Sequence, residues 1–163
     1  MSPMSRTPPP VLLVLTTTKS GIRSETEALR EAMERKTSVC ALFVLDPAIA
    51  STQGRKLLSG IIGPAAAIPL GREILKDYES RAKDRFEEIR ADCEEIGIAF
   101  ESRICRGPFL DEVRSYVQSH QPAVVILPKR SKSFLSRLFM KDELPVIKNT
   151  APHTQIRVIE EDI

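Results

Sequence analysis

The chain is poor in the residues that build metal sites, disulfides and most catalytic centres. Its 163 residues include two histidines, three cysteines and no tryptophan. The histidines are His120 and His153, and the cysteines, Cys40, Cys93 and Cys105, form no C-x-x-C pair and no cluster with a histidine. We therefore expect neither a zinc site nor a disulfide framework.

Long apolar runs and an excess of one charge are also missing. The first apolar run, at 11–15, has five residues, whereas a secretory signal needs about seven to fifteen and a membrane helix about twenty. The 24 basic and 22 acidic residues leave a net charge of +2, and a nucleic-acid-binding domain usually has a larger positive excess. Unpaired cysteines fit a reducing compartment. We expect a soluble cytoplasmic protein with no nucleic-acid partner.

Short apolar runs predict the strands of a sheet. Unbroken runs rich in branched residues are typical of strands buried on both faces, as in parallel sheets. The chain has such runs near its start, middle and end, and a last segment that alternates like an edge strand. Strands are predicted at 11–15, 39–45, 98–105, 123–127 and 155–159.

Amphipathic segments between these runs predict helices. Ser24 and Glu27 have the spacing of a capping box at the start of the first helix. Its apolar stripe is Ala28, Leu29, Ala32 and Met33. Further helices are predicted over 72–96, ended by Gly97, after Gly107-Pro108, and over 143–150. This alternation predicts a single α/β domain: an open, mainly parallel five-stranded sheet with helices on both faces and right-handed crossovers.

Two segments fall outside the regular pattern. Residues 1–10 are rich in serine and proline and predict a flexible N-terminal tail before a domain spanning 11–163. Residues 48–71 form a Gly/Pro-containing insert, of which 57–71 carries no charge. It is too short to span a bilayer. One interpretation is a loop folded over the domain, and the other is an exposed apolar flap for a partner, a ligand or, less favoured, a membrane surface.

Open α/β sheets bind ligands beyond the carboxyl ends of their strands. The chain has no G-x-x-x-x-G-K-[ST], G-x-G-x-x-G or G-x-S-x-G sequence there, so none of the usual phosphate or nucleophile motifs is present. We do not expect an enzyme, although a weak ATPase is left open. Residues 128–141 carry five positive charges and no negative one. They form either a solvated loop or an anion clamp and basic patch at the crevice.

Several short signatures together resemble the universal stress protein family. They are the Ser-x-x-Glu helix start, the strand end Ala-Leu-Phe-Val-Leu-Asp-Pro at 41–47, Gly107-Pro108 and Val-Val-Ile-Leu at 124–127. The resemblance extends from about residue 11 to 159. It implies an adenine nucleotide alpha hydrolase-like fold, a stress-response or regulatory role, and a homodimer formed through the last strand. The implied interface residues are Gln155, Ile156, Arg157, Val158 and Ile159.

The chain departs from the family at the nucleotide site that the resemblance implies. ATP-binding members end strand one with an aspartate, where this chain has Thr17. They also have three glycines and a serine or threonine after strand four, at positions that are here Pro128, Ser131, Lys141 and Asp142. The crevice positions implied for this chain are Thr16, Thr17, Val44, Pro128, Lys129, Arg130, Ser131, Lys132, Lys141 and Asp142.

These replacements change the chemistry of the phosphate site. Glycines allow positive φ and a close approach of backbone N–H groups to phosphate oxygens, whereas Pro128 has no N–H and a fixed φ. As cap of the final helix, Asp142 would place a carboxylate where a phosphate binds. We expect no bound cofactor and no ATP binding in the family's usual mode. The alternative is a switch that binds ATP, AMP or another anion through Lys129, Arg130 and Lys132.

Overall fold

Five strands form one parallel sheet. The computed structural model describes residues 8–15, 22–45, 67–129 and 151–160. The strands are β1 (Val11–Leu15), β2 (Val39–Leu45), β3 (Phe100–Arg106), β4 (Val124–Lys129) and β5 (Gln155–Glu160). Their order is β3-β2-β1-β4-β5, and every neighbouring pair is parallel. The predicted five-stranded parallel sheet is confirmed, with β3 starting two residues later than expected and β4 ending two residues later.

Helices cover both faces of this sheet, as the sequence predicted. They are α1 (Ile22–Arg35), α2 (Ala67–Ile96) and α3 (Phe109–His120). Side chains of α1 and α2 pack on one face, and those of α3 pack on the other. None of the described helices combines the length and the apolarity needed to cross a membrane. The helix predicted over 143–150 lies outside the described residues.

The centre of the sheet explains the unbroken apolar runs of the sequence. All residues of β1 and β2 are buried. In β1, Val11 and Leu13 pack on the side of α1 and α2, while Leu12 and Val14 pack on the side of α3. Successive side chains of a strand point to opposite faces, so a strand covered on both faces has no position left for a polar residue.

The start of α1 differs from the prediction. The helix begins at Ile22, two residues before Ser24, and Ser24 is fully buried within it. The Glu27 carboxylate accepts hydrogen bonds from Arg30 and Arg157. The predicted capping box is therefore wrong, because its serine lies inside the helix and its glutamate is engaged by arginines.

The predicted apolar stripe of α1 is confirmed except at one residue. Ala28 and Ala32 are fully buried, and Leu29 packs partly buried against the same core. Met33, however, is 56% exposed. The stripe that contacts the sheet is consequently narrower than the apolar pattern indicated.

Helix α2 extends further toward its N-terminus than the sequence indicated. It begins at Ala67, five residues before the expected start at Arg72, so residues 67–71 are helical and not part of a loop. Pro69 is the third helical residue, in the first turn, where the missing N–H breaks no helical hydrogen bond. The rest of the predicted insert, 48–66, lies outside the described residues.

The end of α2 follows the prediction. Gly97 has φ +77°. Its amide donates to the Glu94 carbonyl over 3.2 Å, and the Ile98 amide donates to the Cys93 carbonyl over 2.9 Å. These are the two hydrogen bonds of a Schellman motif, which satisfies the last carbonyls of a helix.

We expect Gly97→Ala to lower the free energy of unfolding by about 1 kcal/mol, because a Cβ disfavours the left-handed conformation. Nothing lies within 4 Å of a Cβ built at Gly97, so steric contact adds nothing. Gly97→Asn is the control, since asparagine tolerates this conformation and should lose less. Denaturant unfolding of the three proteins measures the effect, and equal losses for alanine and asparagine would contradict the conformational cause.

Part of the predicted N-terminal tail is attached to the domain. The Thr37 hydroxyl lies 3.1 Å from the Pro8 carbonyl oxygen and 2.9 Å from that of Pro9. The Ala123 amide donates to the Pro10 carbonyl over 2.9 Å. Residues 8–10 are thus hydrogen-bonded to two loops at the amino edge of the sheet, and only 1–7 of the predicted tail lies outside the described residues.

Candidate functional site

The strand order defines where this fold offers a crevice. From β1 the chain proceeds to β2 and β3 on one side, whereas β4 lies on the other side of β1 and is followed outward by β5. The switch point is therefore between the carboxyl ends of β1 and β4, and ligands of open α/β sheets bind at such a point. Most of the predicted crevice residues lie outside the described residues, and their grouping stays a prediction. They are Thr16, Thr17, Arg130, Ser131, Lys132, Lys141 and Asp142.

Three predicted crevice positions are among the described residues: Val44, Pro128 and Lys129. The side chain of Val44 is part of the core. It is 1% exposed and packs on the face of the sheet that α3 covers. Its neighbour across the sheet is Cys105 of β3. The Val44 side chain therefore contributes to the packing of this face of the sheet, and its place in the crevice stays a prediction.

The other two described positions, Pro128 and Lys129, are strand residues. Pro128 pairs in register with Ile159, and Lys129 pairs with Glu160. Strand β4 thus continues through the position where the resemblance places the first glycine of a phosphate loop. Extended backbone held in a sheet cannot curl around a phosphate, and proline removes one N–H donor from it.

A backbone hydrogen bond from a glycine joins the carboxyl ends of β2 and β3. The Gly107 amide donates to the Leu45 carbonyl over 3.0 Å. Gly107 has φ +149°, and a Cβ there would clash with Oε1 of Glu112. Beside it, Arg106 forms an ion pair with Glu79 of α2 at 2.5 Å. This end of the sheet is tied to α2.

A buried charge cluster lies between α1 and α2. Glu25 is 6% exposed and accepts a hydrogen bond from Arg85 over 2.9 Å. Its second oxygen, Oε1, has no hydrogen-bond partner among the described residues. Burial, and then the neighbouring Asp92 carboxyl, raise the pKa of Glu25, against the lowering effect of Arg85.

We expect Glu25→Gln to flatten the dependence of stability on pH. The pKa of Glu25 in the folded state is raised above the ordinary value of 4.5. At pH values between these two pKa values, the native state binds more protons than the unfolded state. The free energy of unfolding therefore falls as the pH rises through the interval. Glutamine can accept from Arg85 and buries no charge, so the variant should equal or exceed the parent at pH 7. Parallel unfolding profiles of parent and variant between pH 4 and 8 would contradict this account.

The edge strand β5 uses both of its faces within the chain. Ile156 and Val158 pack on the face that α3 covers, and Ile159 packs against the core on the opposite face. The Gln155 amide donates to the Ala123 carbonyl, so it points toward β4. Backbone groups of a strand alternate in direction. The amides of Ile156 and Val158 therefore point away from β4, toward the free edge.

Arg157 ties β5 to α1 through two carboxylates, the half-buried one of Glu27 and the buried one of Glu31. It donates to Glu27 and lies 3.2 Å from Glu31, whose side chain is 4% exposed. Arg35 also contacts Glu31 at 2.9 Å. Hydrogen bonds from Arg30, together with the charge of Arg157, hold the pKa of Glu27 below its usual range. No local pattern indicated this network, because Arg157 lies more than a hundred positions from Glu27 and Glu31 along the chain.

The two edges of the sheet differ in charge. On β3 the side chains of Glu101, Ser102 and Arg103 are exposed. Exposed charges on an edge strand oppose pairing with another strand. On β5 the one charged residue between 155 and 159, Arg157, is neutralised by α1.

The cysteines occupy packed positions. Cys40 is buried and accepts a hydrogen bond from the Tyr116 hydroxyl over 2.9 Å. Cys93 is fully buried in the core on α2, and burial raises the pKa of its thiol to about 11. A thiol that stays protonated is a poor nucleophile. Among the described residues, no group of histidine, cysteine and carboxylate side chains is placed to hold a metal ion.

Comparison with known proteins places this fold. No protein-family model and no curated protein matches the chain. Among solved structures, it resembles universal stress protein UspA from Lactobacillus plantarum, at 17% identity and a TM-score of 0.63, over 96% of this chain and 99% of that one. A universal stress protein family member from Burkholderia pseudomallei matches at 9% identity and a TM-score of 0.56, over 91% and 94%.

A third solved structure, from Arabidopsis thaliana, is a universal stress protein family protein with AMP bound. It matches at 14% identity and a TM-score of 0.50, over 94% of this chain and 93% of that one. The sheet order and the helices on both faces define an open α/β domain with a switch-point crevice. The chain has the universal stress protein fold, and the predicted fold class is confirmed.

Proposed function

We propose that the chain is a regulatory module of the universal stress protein family that pairs with a second copy through β5. It acts in the cytoplasm through protein contacts, with 57–71 as a further contact segment for a partner. It does not bind ATP in the mode that the resemblance implies. The similarity of nearly the whole chain to a solved universal stress protein supports the family assignment. The ion pairs that neutralise Arg157 on the edge strand β5 support the pairing.

One observation carries the proposal that the usual ATP site is lost. Strand β4 continues through Pro128 and Lys129, both in register with β5. A phosphate loop at this position needs backbone N–H groups that are free to turn toward an anion. Pro128 has no N–H. Thr17, where the resemblance implies an aspartate, adds a second departure in the sequence.

A nucleotide-binding switch is the second candidate function. The solved protein from Arabidopsis thaliana holds AMP on the same fold. Residues 129–132 of this chain carry three positive charges, on Lys129, Arg130 and Lys132, at the carboxyl end of β4. Such charges attract phosphate without glycines. This candidate includes a weak ATPase and a crevice that takes AMP or another anion.

Calorimetry separates the two candidates. We expect no binding of ATP, AMP or a cyclic dinucleotide at submillimolar concentration, and no change in Lys129→Ala. Lys36→Ala is the matched control, because Lys36 is an exposed lysine at the opposite edge of the sheet. Binding that Lys129→Ala abolishes and Lys36→Ala preserves would replace the first proposal by the second.

A bound nucleotide can also be detected in the purified protein. The chain has no tryptophan and two tyrosines, so its own absorbance at 280 nm is weak. A nucleotide retained through purification would raise the ratio of absorbance at 260 nm to that at 280 nm. We expect a ratio typical of protein alone.

A further inference from the structure

The outer side of β3 carries backbone groups that pair with no strand of the described sheet, because β3 lies at its edge. On the inner side, the Gly107 amide donates to the Leu45 carbonyl of β2. Backbone groups of a strand alternate in direction, so the odd-numbered residues of β3 direct their backbone groups toward β2. The N–H and C=O groups that point outward belong to Phe100, Ser102 and Ile104.

The side chains of β3 separate into an apolar set and a charged set. Phe100 and Ile104 pack partly buried against the core on the face that α2 covers. Glu101 and Arg103 are exposed and point to the other face, where the Arg103 guanidinium carbon lies 5.6 Å from the centre of the Tyr116 ring of α3. One face of the strand thus holds two incompletely covered apolar residues, and the other holds one charge of each sign.

This strand is complementary to itself in one antiparallel register. A two-fold axis at Ser102 places Phe100 of each copy opposite Ile104 of the partner subunit. The same axis places Glu101 of each copy opposite Arg103 of the partner subunit. Aromatic residues opposite β-branched residues, and opposite charges across from each other, both stabilise antiparallel strands.

The hydrogen-bond geometry agrees with this register. The residues whose backbone groups point outward, at 100, 102 and 104, face one another across the axis, and each opposed pair exchanges two N–H···O bonds. Glu101 and Arg103 then form the pairs without backbone hydrogen bonds, in which side chains lie closer together. The two charge pairs therefore occupy the positions of closest side-chain contact.

The charges disfavour the two neighbouring registers. A shift toward the start of the strand centres the pairing on Glu101 and puts two carboxylates opposite each other. A shift toward its end centres the pairing on Arg103 and puts two guanidinium groups opposite each other. Like charges directly opposite are destabilising. The exposed charges that oppose strand pairing in general thus permit one partner, a second copy in one register.

We propose that the edge of β3 is a self-pairing surface, which joins two copies of this chain antiparallel about Ser102. We expect a dissociation constant on the order of 100 µM, because lost molecular freedom and desolvation of the charges offset much of the hydrogen-bond gain. Pairing through β3 is therefore negligible at low micromolar concentration and becomes populated where the chain is concentrated. The proposal is independent of the crevice and of pairing through β5.

Charge reversal in two separate full-length proteins tests this proposal. Glu101→Arg leaves both positions positive and Arg103→Glu leaves both negative, so each variant places like charges opposite each other when it pairs with itself. The two variants are complementary again when they are mixed. By sedimentation equilibrium at about 300 µM, we expect the weight-average mass of the mixture to exceed that of either variant alone by about 1.5-fold. The double variant Glu101→Arg/Arg103→Glu should associate like the parent.

The matched control reverses the exposed pair of Asp77 and Arg81 on α2. Asp77→Arg and Arg81→Glu change the net charge by the same amounts, and each of them and their mixture should have the mass of the parent. Any pairing through β5 contributes equally to every sample, and circular dichroism verifies folding. A mixture of Glu101→Arg and Arg103→Glu with no greater mass than its components would overturn the proposal. So would an equal gain in the control mixture, since attraction between net charges would then be the cause.

Discussion

Replacing Val158 with proline is expected to convert a dimer of this chain into a monomer without unfolding it. The Val158 amide points away from β4, so its loss breaks no hydrogen bond within the sheet. In a two-fold pairing of β5 strands, the substitution removes one outward donor from each chain and places two proline rings at the interface. We expect dimer affinity to fall at least about 100-fold, because each lost hydrogen bond contributes about 1 kcal/mol before the steric conflict is added.

Light scattering coupled to gel filtration measures the outcome at micromolar concentration. Val158→Thr is the matched control, because threonine keeps both the amide donor and the branched Cβ that strands favour. It should stay dimeric. A Val158→Pro protein that remains a dimer would show that pairing uses another surface, and a monomeric parent would remove the proposed dimer altogether.

Removing the Arg85 side chain is expected to have the largest effect on stability. Arg85→Leu leaves Glu25, which is 6% exposed, without its cation. Breaking a buried pair by removing one partner is strongly destabilising. We expect a loss of about 2 kcal/mol at pH 7, less than the about 3–5 kcal/mol typical of such a change, because Arg85 is partly accessible and Glu25 can take up a proton.

Chemical denaturation of variants on the same helix tests this prediction. Arg81→Leu is the control, since Arg81 forms an exposed pair with Asp77 at 2.9 Å and exposed pairs contribute about 0.5 kcal/mol. The Arg85→Leu loss should shrink at low pH, where a proton neutralises Glu25. Adding Glu25→Gln should recover much of it. A loss no larger than that of Arg81→Leu would contradict the buried pair.

The elements that the sequence predicted well are those with a local signal. The run Val11–Leu15 and the run Val39–Leu45 became β1 and β2 with the predicted bounds. Gly97 ends α2 where its position indicated. These features depend on the period of apolar residues or on the backbone freedom of one glycine, and both can be read over a few neighbouring residues.

The errors occurred where a local signal competed with packing. Ser24 has the spacing of a capping residue, but it is buried inside α1. Pro69 and Gly71 resemble helix breakers, yet α2 begins at Ala67. A proline in the first helical turn loses no hydrogen bond, so the boundary depends on what surrounds the segment.

Only the location of the candidate site could be predicted from the sequence. A βαβ alternation places the crevice at the carboxyl ends of the strands, and the residues at those ends can be listed from the sequence. The burial of the Val44 side chain could not be predicted from the sequence, because it depends on where α3 packs. The extension of β4 through Pro128 depends equally on its pairing with β5.

The sequence by itself determined a histidine-poor, tryptophan-free α/β chain with five strands, and it determined which residues are apolar enough to build the core. Only the tertiary structure decided the strand order, the pairing of Arg157 with Glu27 and Glu31, and the difference between the two sheet edges. The physical reason is distance along the chain. Periodicity acts between neighbours, whereas the pairing of β1 with β4 and the ion pairs of Arg157 join residues more than a hundred positions apart, and no local pattern predicts such contacts.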